Sequence, residues 1–275
     1  MQAKHIILVS ILVTAVSCHK GTTPDPKPDP PANTNVIRLK DMNERNLPSP
    51  FYHFEYNDSG DITHASFSSG LGIYDVIYDG RKILRMENKN QPNGDTLRYG
   101  YLGSDIVNIQ IIDKQGVTYR RAFLGYNTSH QLQTIDWEVK DGNVGFAQEQ
   151  TLQFSYYPDS NLKELVNHLY TVGPQTAATF TDRFENYDNK LNVDAFSLLH
   201  RDQNHHLFLV PGIKIQLNNP RRNVRTGDGV NYEVDYIYSY DAAGRPLVKT
   251  GDVLWRSGAD SGKHFETRAT FSYYD

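Results

Sequence analysis

Arg221, Arg222 and Arg225 stand together with Asn223 at 221–225. Guanidinium groups at that spacing could grip an anionic sugar or a phosphate, because each presents a planar fork of N–H donors. The plainer reading is a solvated loop. Trp137 and Trp255 are the chain's 2 tryptophans, and 18 tyrosines accompany them. Their rings could stack on glycan rings, although the same residue types hold sheets together as cross-strand pairs. His200, His205 and His206 lie near Asp202 and carry the donor atoms of a metal site. Adjacent histidines on a strand point to opposite faces, so one ion cannot easily take both. A polar turn accounts for them, and no metal site is assigned. The chain has no G-x-S-x-G, H-E-x-x-H, P-loop or dinucleotide-binding glycine pattern. No catalytic residue and no cofactor therefore follow from motifs.

One residue has chemistry set by its address. Cys18 is the only cysteine, and it follows an apolar run from Ile6 to Val16 that opens after Lys4 and His5. The run is too short to span a membrane, which takes about 20 residues, and it has the length of a signal-peptide core. With Ala15-Val16-Ser17 before the thiol, the segment resembles a bacterial lipoprotein signal. The resemblance implies cleavage after residue 17 and lipidation of Cys18. An ordinary secretory signal is the main alternative. A lone cysteine in an exported protein needs a partner or a reason, and lipidation is a reason. The stretch to residue 35 holds Pro24, Pro26, Pro28, Pro30 and Pro31 and nothing aliphatic larger than alanine. It cannot bury a core and favours extended polyproline II, rising about 3.1 Å per residue. Residues 18–35 are thus expected to tether a domain that spans 36–275. The address expected is the outer membrane, on its periplasmic or cell-surface face. The His19-Lys20-Gly21 that follows the cysteine does not choose between them.

The formal charge is −4, and loss of residues 1–17 removes Lys4 and makes it more negative. That balance argues against a nucleic-acid partner, which wants a basic face. The expected partners are the membrane, through the lipid, and a polysaccharide or an envelope protein. Without a second cysteine, the exported domain must be stable through packing alone.

The elements that must position these residues come from a loose repeat. Its first copy is Phe54-Glu55-Tyr56-Asn57-Asp58-Ser59-Gly60-Asp61-Ile62, and its clearest is Tyr238-Ser239-Tyr240-Asp241-Ala242-Ala243-Gly244-Arg245-Pro246-Leu247. Others centre on Tyr78, Tyr101, Tyr126, Tyr156 and Tyr187, and Tyr273 begins an eighth. An aromatic and a tyrosine two apart share one strand face. Asp, Asn and Gly then supply side-chain turn bonds and cheap positive φ. An aliphatic residue opens the return strand. Tyr56, Tyr78 and Tyr101 are 22 and 23 residues apart, enough for two strands and two turns. The fold expected is all-β, an antiparallel sheet of consecutive hairpins, each burying its face on the next. One tyrosine row would face the core and the other face would stay wet.

The 238–247 unit resembles the YD-repeat (RHS-type) sequences. The whole arrangement is similar to Bacteroidota lipoproteins of unknown function that combine a lipobox, a Pro-rich tether and degenerate YD-like hairpins. Tyr187-Asp188-Asn189-Lys190 through Phe196 and Asn218-Asn219-Pro220 carry further parts of that resemblance. It implies a fold and a compartment, with no catalytic residues. Asp95-Thr96-Leu97 is similar to the acceptor of periplasmic O-glycosylation in that bacterial group, which would make Thr96 a modification site.

The period breaks near 193–230. Val193 to His200 has the pattern of a short helix, and Leu207–Leu217 that of two strands around Pro211-Gly212. Residues 219–229 are expected as a loop over a sheet edge. The function expected is a non-enzymatic binding or structural module; the alternative is a glycan-active hydrolase with a dispersed carboxylate pair. The turn reading is tested at Gly244. Gly244→Val is expected to cost about 1–2 kcal/mol, the penalty for a branched residue at positive φ, while Ala242→Ser leaves stability unchanged. Chemical denaturation of both variants decides this, and equal midpoints would refute the hairpin.

Overall fold

The computed structural model describes residues 37–90, 94–142, 145–199 and 213–275. The signal segment, Cys18, the tether, the histidine cluster and Leu207–Gly212 lie outside the described residues. The strands are β1 (Leu39–Glu44), β2 (Tyr52–Tyr56), β3 (Ile62–Phe67), β4 (Gly72–Asp79), β5 (Lys82–Asn88), β6 (Thr96–Leu102), β7 (Asp105–Ile112) and β8 (Thr118–Tyr126). They continue as β9 (Leu132–Asp141), β10 (Gly145–Tyr156), β11 (Leu162–Leu169), β12 (Ala178–Glu185), β13 (Arg222–Gly227), β14 (Tyr232–Tyr240), β15 (Pro246–Trp255) and β16 (His264–Tyr273). Each pairs antiparallel with its chain neighbours, and β1 pairs with β16, so the sheet closes into a barrel.

The hairpins expected from the repeat are present, but the sheet they form is closed rather than open. Closure follows from β1, whose Leu39 and Met42 match the inward phase of Tyr273 and Phe271 on β16. An open array would leave two edges with unpaired backbone groups. Residues 222–227, expected within a loop, form β13, where Asn223 and Arg225 point inward. Of the expected edge cover at 193–230, the described residues Phe196 and Ile215 pack inside the barrel instead. Its helical part is a 3-10 turn at Ala195–Leu199, and Phe196 sits edge-on against Tyr52 and Phe54 of β2, 4.9 and 5.4 Å away.

The turns behave as their residues dictate. Gly60, Gly116 and Gly244 have φ of 83°, 82° and 78°. Each closes a turn whose first residue, Asn57, Asp113 or Asp241, also accepts a backbone N–H through its side chain. His130 and Ser160 take the same left-handed position without being glycine.

The repeated tyrosine has one job. In β3–β4 the backbone ladder stops at His64↔Asp75. Three residues further on, the Tyr78 hydroxyl donates to the Ile62 carbonyl, two residues before the ladder begins, at 2.9 Å. The same offset gives Tyr56 to Leu39, Tyr101 to Ile83, Tyr126 to Ile106, Tyr156 to Leu132 and Tyr273 to Pro246. Tyr187 reaches Leu162 from one residue further out, four beyond the last ladder pair at Glu164↔Arg183. In the seventh copy Tyr238 takes this place, donating to Pro220, and Tyr240 donates to Asp188 instead. Each hydroxyl satisfies a carbonyl that the shortened ladder leaves over, and its ring fills the interior.

A round barrel of about 16 strands leaves an aqueous channel. This interior is filled: Ala65, Met86, Ile109, Ile111, Ala122, Ile135 and Leu162 are fully buried, with Tyr52, Phe54 and Tyr74 beside them. Burial of each large side chain contributes about 1.5–3 kcal/mol. The outer wall is charged. His53 meets Asp41, His64 meets Asp75, Arg121 meets Glu138, Arg183 meets Glu185 and His264 meets Asp252, all on outward positions. The latch is testable at Tyr126, whose hydroxyl burial pushes up to about 12. Tyr126→Phe is expected to cost about 1 kcal/mol, the net worth of one hydrogen bond, with its fluorescence and circular dichroism unchanged. A variant as stable as the parent would show that the ring alone holds the strand.

Candidate functional site

A cavity of about 270 Å³ lies between the 3-10 turn and the strands β11–β16 and β1. Tyr232 opens β14 and Glu44 closes β1, so the cavity lies toward the barrel end away from the latches. Period-2 alternation brings its polar residues inward. Asp182 and Phe184 come from β12, Asn223 and Arg225 from β13, Tyr232 and Tyr236 from β14, and Thr267 and Ala269 from β16. Lys249 faces Ala269 across β15–β16, and Ala269 faces Glu44 across β16–β1. A small residue between two long ones leaves the space.

Two buried ion pairs set the electrostatics. Arg225 lies opposite Asp182 and holds it with two hydrogen bonds of 2.9 and 2.6 Å. Its guanidinium also lies over Phe180 and Tyr232, 4.4 and 5.0 Å from the ring centres. Lys249 Nζ is 2.8 Å from Asp194, which is 3% exposed. Burial alone would favour the neutral amine. The Asp194 carboxylate and the Tyr238 and Tyr236 rings outweigh it, and the ammonium is held well above its ordinary range. This pair also staples the inner segment to the wall, because Asn192 fixes Asp194 at 3.0 Å and caps the 3-10 turn.

Glu44 is different. Its carboxyl makes no hydrogen bond or ion pair among the described residues. Burial pushes it from 4.5 to about 7, against the pull of Lys249 and with the push of Asp194. Gly251 completes the site: a Cβ there would sit 2.6 Å from Thr267 Oγ1 and 3.0 Å from the Tyr236 ring. Its absence lets Tyr236 lie flat across the strand with Lys249 Nζ 4.7 Å from the ring centre.

The residues singled out from sequence are dispersed. Arg221 is exposed. Arg222 faces outward and pairs with Glu233, Asp235 and Glu185. Arg225 alone faces the cavity. Trp137 is 6% exposed in the core, on no wet face. Trp255 is half-buried and edge-on to Tyr232 at 5.8 Å, so it reaches the Arg225 cluster from inside. The tryptophans and arginines therefore do not form one exposed platform, because Trp137 and Trp255 lie in the inward phase of β9 and β15 whereas Arg222 points outward. Thr96 is half-buried on β6, and Asp95 before it is buried, accepting from Tyr119 and Asn88 at 3.0 and 2.7 Å. Sequence reading missed Glu44, Asp182, Asp194 and Lys249. Their signal is a charge in the apolar phase, as in Phe180-x-Asp182-x-Phe184 and Lys249-x-Gly251-x-Val253.

No family model matches the chain, and no curated protein matches it. Solved structures share its fold, two porin-like proteins among them. A porin-like protein from Bacteroides uniformis ATCC 8492 aligns with a TM-score of 0.57 and 16% identity, over 81% of this chain and 89% of that one. A porin-like protein from Bacteroides vulgatus ATCC 8482 aligns with a TM-score of 0.53 and 14% identity, over 81% and 92%. At these identities the likeness concerns the barrel alone.

The carboxyl of Glu44 gives a pH dependence with a definite sign. Its folded pKa is raised, so folding favours the protonated form, and stability falls as pH rises from about 4.5 to 7. Glu44→Gln removes this loss. At pH 8 the variant is expected to be more stable than the parent by up to about 3 kcal/mol, and at pH 4 to match it. Denaturant titrations at both pH values check it; parallel pH profiles would refute it.

Proposed function

We propose that this protein is a lipid-anchored, non-enzymatic binding module of the cell envelope. One observation carries the reading: charged side chains are spread over the outward strand positions, while most of the interior is apolar. A barrel that crosses a membrane needs the reverse, an outward apolar band about 25 Å tall. Here Asp41, Asp75, Arg121, Glu138 and Arg222 occupy outward strand positions, which suit water. A water-facing barrel needs a separate attachment to stay at a membrane, and the lipobox at Cys18 supplies one. The Pro-rich segment then holds the barrel away from the headgroups. The repeat supports a degenerate YD-like hairpin origin. The porin-like description of the two fold relatives is compatible with an envelope address, and nothing in the comparisons favours a glycan hydrolase.

Anchoring is tested with Cys18→Ala. The parent is expected to partition into the detergent phase and to pellet with washed membranes, and the variant to be soluble with the barrel folded. A variant that stays membrane-bound after washing would mean that the barrel wall itself holds the membrane, and the reading would fail.

A further inference from the structure

Almost every inward tyrosine spends its hydroxyl on the protein. The latch tyrosines find backbone carbonyls, Tyr119 donates to Asp95, and Tyr240 donates to Asp188. Tyr232 and Tyr236 depart from this rule. Both line the cavity, and neither hydroxyl makes a hydrogen bond among the described residues. The Glu44 carboxyl, on the same cavity, is likewise without one. All three side chains are half-buried and open into this space. Three around one space mark a place where something polar completes them, water or a ligand.

The charges of the wall select the class of ligand. Arg225 is answered by Asp182 in a bidentate pair, and Lys249 by Asp194. An anion entering here would meet Asp182, Asp194 and Glu44; a cation would meet Arg225 and Lys249. Both cations are answered, so an anion finds no free partner here; the one unanswered acid, Glu44, lines a space that Lys249 and Arg225 also line, which disfavours a cation. What remains open is a set of neutral or acidic donors and acceptors, Tyr232, Tyr236 and Glu44, beside the aromatic faces of Tyr232 and Phe184. Sugar hydroxyls both donate and accept, and a pyranose has an apolar C–H face that packs on a ring. A volume of about 270 Å³ suits a small ligand rather than a polymer chain.

We propose that this cavity binds a neutral mono- or disaccharide, with Glu44, Tyr232 and Tyr236 holding its hydroxyls. The site rests on the reading of the barrel as a binding module, but not on the lipid anchor. The Cys18→Ala result therefore leaves it untouched.

The test uses the full chain in detergent micelles. Saturation-transfer NMR is run against neutral hexoses, N-acetylhexosamines and their disaccharides, with glucuronic acid and glucosamine as charged controls. A neutral sugar is expected to bind in preference to both controls. Glu44→Gln, Tyr232→Phe and Tyr236→Phe are each expected to weaken it about tenfold, the effect of one lost hydrogen bond. The two Tyr→Phe variants keep their rings, so their melting temperatures should stay near the parent's. If Glu44→Gln alters folding, they decide. Absence of binding by every neutral sugar would overturn the proposal. So would preference for a charged control, or undiminished binding by both Tyr→Phe variants.

Discussion

A tyrosine hydroxyl donating to a carbonyl two residues short of a strand ladder is the contact on which this barrel depends. It recurs from Tyr56 on β2 to Tyr273 on β16. In each case it does two things at once. It satisfies a backbone group at the barrel end, and it turns a large ring toward the interior. The first fixes register, because the hydroxyl reaches only one carbonyl. The second supplies the volume that turns a sixteen-strand wall into a packed body. Tyrosine suits both tasks because its ring is apolar and its tip is not. Phenylalanine would fill the space and leave the carbonyl unanswered.

The seventh copy shows how the constraint bends without breaking. The chain leaves the wall after Tyr187 and returns at Arg222. Tyr238 keeps the latch to Pro220, which frees Tyr240 for Asp188. Asn219 bridges the two arms of the excursion through Lys190 and Leu191 carbonyls, and Leu191 pairs with Asn218. The polar residues at both ends of the insertion thus form its clasp. Its apolar middle, at Phe196 and Ile215, is what the barrel buries.

Much of this was legible locally and little of it globally. Turn chemistry is written in neighbouring residues, so Gly244, Asp241 and the period of the hairpins could be read directly. The inward phase of Phe54 and Tyr56 follows from alternation. Closure could not be read, because nothing in β1 or β16 alone says that they meet. The insertion reads as an edge cover for the same reason: a closed sheet has no edge to cover. The site failed for a subtler cause. Arginine and tryptophan attract attention by type, whereas Lys249 and Asp182 matter by phase, and phase is visible only once strand boundaries are known. Arg222 and Arg225 lie three residues apart and end on opposite sides of the wall.

The pairing of β1 with β16 has a further consequence. Asp41 accepts from Ser272 across 231 residues of chain, and the strands between pair mostly with near neighbours. Such a topology assembles quickly hairpin by hairpin and then waits for one long-range contact. Until β16 arrives, the edge of β1 that β2 does not cover is unpaired. The interval is a hazard of edge-to-edge association. The charges on its outward positions, Asp41 and Lys40, are the kind of residue that discourages such association. Stability of the finished barrel and safety of the unfinished one are therefore set by different faces of the same strand.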